Sequence, residues 1–309
     1  MSTETPRPIR NVLAATGLTP ESAGGLLLGS DLARRFGAEL HVVHVVEPPS
    51  EVEERAIPGL TERYVAFAAE ELGKFCASHG MGAAATQHLL RGEPEAEILR
   101  LRKQLRADVL VLGRYGKGGL KRGRLGSIAH RLVRRSQVSV LVAQPDFRGP
   151  VQRVGVACDF HEESRMELRR AMELAAKFGA GEVVVLASYE VPAGYHTIMS
   201  WEDACSRLEA ALRELAEKSL ALAAAEAPGA RAWRLRMEEG PPTSRIPAMA
   251  QEEHLDLLVL GTHGRSRAAM ALLGRTSEKI IDAAGCSVWA ERDSAKFQGF
   301  VEMLRELAE

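Results

Sequence analysis

The chain has 309 residues, of which 46% are hydrophobic, and a formal net charge of −1. This length favours two domains over one. A net charge near zero provides no basic field for nucleic acid or an anionic membrane. The apolar runs, such as Val12–Ala15 and Val183–Ala187, are far shorter than the roughly 20 residues that cross a bilayer. We therefore predict a cytoplasmic protein with neither nucleic acid nor a membrane as its partner.

The first half alternates short apolar runs with helical patterns. The predicted strands are Asn11–Ala15, Leu40–Val46, Ala84–Leu90, Val109–Leu112 and Val138–Val142. The predicted helices include Glu21–Phe36, Glu62–His79 and one that opens at Ser127. Runs that are apolar at nearly every position are typical of strands covered on both faces. Alternation of such strands with helices predicts a doubly wound parallel α/β sheet with flanking helices.

The second half repeats the first. Leu32–Glu47 is similar to Leu174–Glu190, and Gly92–Gly113 is similar to Gly240–Gly261, with offsets that drift from 142 to 148 residues. Such self-similarity indicates a duplicated domain. We predict a first domain at residues 1–148, a second at 151–293, and an amphipathic C-terminal helix at 294–309. Four separated cysteines, Cys76, Cys158, Cys205 and Cys286, are predicted to be small buried residues, and no metal site is predicted.

Each half carries a glycine-rich loop after its fourth predicted strand. In the first half, Gly113 is followed by Gly116 and then by Gly126-Ser127; in the second, the same spacing gives Gly261, Gly264 and Gly274-Arg275. Backbone N–H groups at a helix start are unpaired and partly positive, and Ser127 is a good cap, so the loop is suited to hold a phosphate. Taken alone, this spacing is also compatible with tight turns that bind nothing.

The pattern G-x2-G-x9-G-[ST], placed after an "ADVLVLG" strand in a five-strand α/β repeat, resembles the universal stress protein family. The resemblance covers nearly the whole chain, twice. It implies two tandem Rossmann-like domains of the adenine-nucleotide α-hydrolase type, each with a five-stranded parallel sheet in the order 3-2-1-4-5. It also implies pairing of the domains within the chain through their last strands, with a homodimer as a further option. Many members bind ATP, with or without Mg²⁺, whereas others bind no nucleotide.

The resemblance implies a nucleotide site in the first domain, with its glycine loop around the phosphates and the end of strand 2 near the adenine. Gly17 stands where members usually have Asp. The implied nucleotide-binding residues are Ala14, Ala15, Thr16, His44, Val45, Gly113, Arg114, Gly116, Lys117, Gly126, Ser127 and Ile128. Arg131, Arg134 and Arg135 lie beyond the first helical turn and are predicted to belong to a solvated face.

The second half departs from the family pattern at other places. It keeps Asp159 at the end of its first strand, but Arg275 replaces the Ser or Thr after the third glycine. The candidate residues here are Asp159, Gly261, Gly264, Gly274 and Arg275. One hypothesis is that Arg275 pairs with Asp159 and closes this pocket; another is that Arg275 clamps a phosphate.

Two functions of different classes remain open at this point. The first is a stress-response or signalling module that binds ATP in its first domain. The second is a dimerisation or interaction scaffold with degenerate pockets. No convergent nucleophile, base or metal cluster is visible in the sequence, so we predict no catalytic residues and do not assign an enzyme activity, although a weak ATPase or self-phosphorylation is not excluded.

Overall fold

The computed structural model describes residues 6–115, 125–160, 165–226, 232–262 and 274–292. The chain divides into two compact units, one comprising Pro8–Gly149 and the other beginning at Pro150. Arg7 belongs to the second unit, where its carbonyl accepts a 2.9 Å hydrogen bond from Arg170 Nη2. Each unit is an α/β domain.

The strands of the first domain are β1 (Asn11–Ala15), β2 (Glu39–Val46), β3 (Thr86–Arg91), β4 (Val109–Gly113) and β5 (Ser139–Ala143). Its helices are α1 (Ala23–Phe36), α2 (Glu51–Ala56), α3 (Leu60–Ser78), α4 (Pro94–Gln104) and α5 (Ser127–Arg135). All pairings are parallel and the strand order is β3-β2-β1-β4-β5. The predicted fold and order are confirmed for this domain.

Both faces of the first sheet are buried, as its apolar strands predict. Leu13 on β1 and Leu110 on β4 are fully buried, together with Leu26 and Leu32 of α1. The third strand begins two residues later than predicted, because its limits follow from its pairing with β2, from His41↔Thr86 to Val46↔Arg91. A pattern within one segment does not reveal that register.

The second domain has the same order of elements. Its strands are β6 (Val154–Ala157), β7 (Glu182–Tyr189), β8 (Ala232–Glu239), β9 (Leu257–Gly261) and β10 (Ser287–Glu291). Its helices are α6 (Arg165–Phe178), α7 (Trp201–Glu226), α8 (Pro242–Glu252) and α9 (Arg275–Ala283). The strands are again parallel, in the order β8-β7-β6-β9-β10, around a core that includes Trp289, Leu168 and Met172.

The duplication extends to unusual backbone conformations. Leu18 has a φ of 56° and Phe160, which is 142 residues later, has a φ of 58°. Arg106 and His254, which are 148 residues apart, both have a φ of 50°. Non-glycine residues rarely adopt positive φ, so their recurrence at matched positions supports a common origin of the two domains.

Three of the four cysteines (Cys76, Cys158 and Cys286) are buried, whereas Cys205 is half-buried, and all four are free thiols. Within the described ranges, the helices are too short or too polar to cross a membrane. The predicted C-terminal helix at 294–309 lies outside the described residues.

Candidate functional site

The first domain contains a cavity of about 550 Å³ at the carboxyl ends of β1, β2 and β4. This volume falls within the usual range for small-molecule sites, and the carboxyl ends of parallel strands are where such sheets bind ligands. Its lining residues are Ala15, Thr16, Gly17, Ser22, Val43, His44, Val45, Glu47, Pro94, Ile98, Leu112, Gly113, Tyr115, Leu125, Gly126, Ser127, Ile128, Ala129, Arg131 and Leu132.

The wall formed by β1 and β2 is held by hydrogen bonds around Thr16. His44 Nδ1 donates to the Thr16 carbonyl over 2.8 Å, and the Thr16 amide donates to the Val43 carbonyl over 2.9 Å. The Thr16 hydroxyl accepts from the Leu18 amide and lies 2.9 Å from the hydroxyl of Ser22. These bonds hold Leu18 in its positive-φ conformation. His44 is therefore a wall residue with a fixed ring, and it exposes only 6% of its surface.

The end of β4 meets α1 so closely that both contact positions require glycine. A Cβ on Gly25 would lie 2.8 Å from the backbone nitrogen of Gly113, and a Cβ on Gly113 would lie 3.0 Å from the Cα of Ser22. Real Cβ atoms rarely approach so closely. Gly113 thus lines the cavity because α1 has no side chain at position 25.

The opposite end of the cavity is formed by the first turn of α5. Gly126 is the N-cap residue, with φ −59° and ψ 151°, and its amide donates to the Arg114 carbonyl over 2.9 Å. Ser127, predicted above as the cap, is instead the first helical residue, because Gly126 has the non-helical conformation. Among the residues that the structure describes, no side chain caps this helix. Its first-turn amides, at Ser127 and Ile128 in the cavity wall, have no partner within the helix and are suited to hold an anion.

Two predicted residues lie away from the cavity. Ala14 is buried with its Cβ toward Gly29 of α1, because successive strand residues face opposite sides of a sheet. Arg114 is 3% exposed and is absent from the cavity lining, although its guanidinium lies 6.0 Å from the ring centre of Tyr115. Gly116 and Lys117 lie outside the described residues.

Sequence reasoning missed the contribution of α4, and it predicted the exposure of Arg131 but not the place of this residue in the cavity wall. Arg131 lines the cavity, where its Nε lies 2.8 Å from an oxygen of Glu95. Glu95 is buried and also contacts Arg135 at 2.6 Å, while Glu93 contacts Arg131 at 3.3 Å. This ionic group joins α4 to α5. The only sequence signal was the pattern Gly92-x-Pro94 at the start of α4, which the second half repeats as Gly240-x-Pro242. The pattern does not show that α4 lines the cavity, because that depends on contacts between residues far apart in the chain.

The second domain has different residues at the positions that match the cavity wall of the first domain. Glu167 replaces Gly25, and its carboxylate lies against Gly261, the counterpart of Gly113. Ser277 Oγ donates to the Gly261 carbonyl over 2.7 Å. His44 and Val45 are replaced by Ala187 and Ser188, as the parallel registers of β1–β2 and β6–β7 show. An acidic side chain therefore stands beside the strand end where the first domain has none.

The described residues give no support to the hypothesis that Arg275 pairs with Asp159. Gly274 is the N-cap of α9, and Arg275 is the first residue of this helix and is exposed. Asp159 is exposed as well, and within the described part of the chain no ion pair joins the two. Gly264 lies outside the described residues.

Buried charges lie at the contact between α6 and β10. Arg170 lies 3.2 Å from a Glu291 carboxylate oxygen, contacts Glu173, and stacks 5.4 Å from the ring centre of Trp289. The Trp289 indole N–H donates to Glu291. Leu28 and Ala143 hold the matching positions in the first domain. At the end of β10, burial lowers the pKa of Arg292 to about 10.

Two parallel α/β domains in one chain define a tandem doubly wound protein, and a ligand-sized cavity lies at the carboxyl edge of the first sheet. A profile of the universal stress protein family matches residues 8–144 and 150–292, and the chain belongs to this family.

Individual relatives agree with this assignment. The universal stress protein Rv2005c of Mycobacterium tuberculosis is 30% identical over 61% of this chain and 63% of its own length, so the match spans less than two thirds of that relative. The universal stress protein MJ0531 of Methanocaldococcus jannaschii is 29% identical over 37% of this chain and 69% of its own length. The crystal structure of a universal stress protein from Archaeoglobus fulgidus has a TM-score of 0.62 at 19% identity, covering 91% of this chain and 98% of its own. That likeness shows a shared fold.

Proposed function

We propose that the first domain binds an adenine nucleotide, with ATP as the leading candidate, and that the protein is a nucleotide-responsive module of the stress response. The observation that carries this proposal is the cavity itself, which ends at the first turn of α5 where Gly126 leaves the helix amides without a side-chain cap. The positive end of the helix dipole favours a phosphate at that place.

The cavity walls support an orientation for the nucleotide. Val43 and Val45 offer apolar contacts for a base near β2, whereas Ser127 and Ile128 offer backbone amides near α5. The base would lie against β2 and the phosphates against α5. Mg²⁺ would be coordinated by the phosphates of the nucleotide and by water, as is usual for this ion. Within the described ranges, no group of three or more His, Cys, Asp or Glu side chains could hold Mg²⁺ without the nucleotide.

The second domain is proposed to bind no nucleotide. Glu167 places a carboxylate beside Gly261, where it would repel phosphate, and the residues that match His44 and Val45 are Ala187 and Ser188. The chain would therefore bind one nucleotide. Pairing of the two domains through their last strands stays a prediction.

Titration calorimetry of ATP into the full chain tests the proposal. Gly126→Val places a branched side chain at the cavity end and should weaken ATP binding by about tenfold or more. Gly274→Val makes the same change at the matching position of the second domain and should leave ATP binding unaltered. Circular dichroism would check that both variants fold.

Two equal ATP sites per chain, or full affinity in the Gly126→Val variant, would contradict the assignment. Absence of any bound nucleotide, both by titration and by mass spectrometry of material released from the purified protein, would favour the interaction scaffold instead.

A further inference from the structure

Two histidines of the first domain face each other across neighbouring strands, away from the cavity. His41 lies on β2 and His88 lies on β3, two residues further along the parallel register, since His41 pairs with Thr86 and Val43 pairs with His88. His41 Nδ1 and His88 Nε2 are 3.2 Å apart, and the ring centres are 5.3 Å apart. His41 is buried and His88 is half-buried.

A carboxylate contacts the other nitrogen of His41. Glu39 is on the same face of β2, and its Oε2 lies 3.6 Å from His41 Nε2. A carboxylate at this place favours the tautomer with its proton on Nε2, which leaves the lone pair on Nδ1. His88 Nε2–H then donates to His41 Nδ1 in the metal-free pair. Metal-ligating histidines usually donate their other ring N–H to a carboxylate, and the exposed Glu39 side chain needs only a small rotation to accept that bond.

The spacing of the two facing nitrogens suits a shared metal ion. Two nitrogens 3.2 Å apart, each at a typical Zn–N distance of about 2.0–2.1 Å, subtend roughly 100° at the metal, near the tetrahedral angle.

We propose that His41 Nδ1 and His88 Nε2 form an open two-histidine site for a borderline divalent transition metal such as Zn²⁺, with Glu39 orienting the His41 ring. On binding, the proton leaves His88 Nε2 and solvent returns one to its Nδ1, so no net proton is released. Water fills the remaining coordination positions, because no third His, Cys, Asp or Glu completes a metal-binding group among the residues described.

The proposed metal site is independent of the nucleotide site, because neither His41 nor His88 lines the cavity. Imidazole nitrogen selects Zn²⁺ and Cu²⁺ over Mg²⁺, and Cu²⁺ should bind more tightly than Zn²⁺. A hard cation such as Mg²⁺ should not compete for the pair.

The test is a Zn²⁺ titration of the untagged full chain after removal of metals with a chelator. Wild type should bind one more Zn²⁺ than the His88→Gln variant, with the same difference when ATP is present. Glu39→Gln should keep the stoichiometry and weaken binding by about tenfold, the lower end of the effect of losing such a partner. His196→Gln, at an exposed position of the second domain, is the matched control and should bind as wild type does.

Equal Zn²⁺ stoichiometry and affinity in wild type and His88→Gln would overturn the proposal, as would the absence of saturable binding in wild type. Thermal unfolding in chelator monitors the fold of each variant. If His88→Gln does not fold, the test passes to Glu39→Gln, because the Glu39 side chain is 79% exposed. Unchanged Zn²⁺ affinity in that variant would then refute the site.

Discussion

The carboxylate of Glu167 lies against Gly261 in the second domain, whereas in the first domain Gly25 allows α1 to pack directly on Gly113. The two helices occupy matching places in the duplicated fold. The residue at this helix position, glycine in α1 and glutamate in α6, therefore distinguishes the surroundings of the two strand ends. An anion that approached the end of β9 would meet the Glu167 carboxylate, whereas the first domain has glycine at the matching helix position.

We expect Glu167, and not Arg275, to exclude ATP from the second domain. In a Gly126→Val background, which silences the first domain, Arg275→Ser alone should not create a site, because Glu167 remains beside Gly261. Glu167→Gly combined with Arg275→Ser should give one ATP equivalent per chain, measured by titration calorimetry. Binding created by Arg275→Ser alone would show that the carboxylate does not exclude the nucleotide.

We expect removal of one member of the buried pair Arg170–Glu291 to lower the stability of the second domain substantially. Each side chain is about 3% exposed. Glu291→Ala should lower the free energy of unfolding by up to about 3–5 kcal/mol, the range for breaking a buried ion pair. Arg170 would keep only Glu173 as a carboxylate partner, and the buried Trp289 N–H would lose its acceptor. The double variant with Arg170→Leu and Glu291→Ala carries the residues that the first domain has at the matching positions. Its loss of unfolding free energy should be smaller than the sum of the losses in the two single variants.

Urea unfolding followed by tryptophan fluorescence measures this pair, because all three tryptophans, Trp201, Trp233 and Trp289, belong to the second domain. Additive effects of the two substitutions would contradict direct coupling. Glu173 also contacts Arg170, so the double variant should not fully regain wild-type stability.

We expect Glu95 to stabilise the contact between α4 and α5 more than Glu93 does. The side chain of Glu95 is 6% exposed and contacts two arginines, whereas that of Glu93 is 54% exposed. Glu95→Gln should destabilise the first domain by about 1.5–3 kcal/mol, the range for hydrogen bonds to charged groups, and Glu93→Gln by less than about 1 kcal/mol.

Hydrogen exchange by mass spectrometry checks the Glu95 prediction, because it reports on α4 and α5 separately from the second domain. Faster exchange of both helices is expected for Glu95→Gln. Equal exchange rates in the two variants would show that burial of Glu95 does not add to the stability of the contact between α4 and α5.

We expect Glu253 to make stability depend on pH in the acidic range. Hydrogen bonds from Arg234 and Arg236 lower the pKa of Glu253 from 4.5 to about 2. Because the folded pKa is below the unfolded one, the stabilisation is fully present above about pH 4.5 and is lost as the pH falls toward 2. The difference in unfolding free energy between wild type and Glu253→Gln should therefore shrink over this interval.

Urea titrations from pH 2 to 7 would measure that difference for the Glu253 variant. Glu252→Gln removes a carboxylate that also contacts Arg236 but is 58% exposed, so its effect should stay below about 1 kcal/mol. A difference between wild type and Glu253→Gln that does not vary with pH would contradict the prediction.

The sequence by itself determined the duplication, the alternation of strands and helices, and the place of the glycine loops. These features depend on local patterns, such as the run Val109–Leu112 followed by Gly113, and on the similarity of two segments of one chain. The strand order came from the family resemblance. Each of these was predictable because hydrophobic periodicity and glycine spacing are visible within a few residues.

Only the tertiary structure decided which side chains meet. It places Arg131 in the cavity wall beside Glu95, Glu167 beside Gly261, and both Arg275 and Asp159 at exposed positions. His41 and His88 are 47 residues apart and meet only because β3 pairs with β2 in one register. Contacts of this kind depend on register and close approach between elements, which composition and local pattern do not specify.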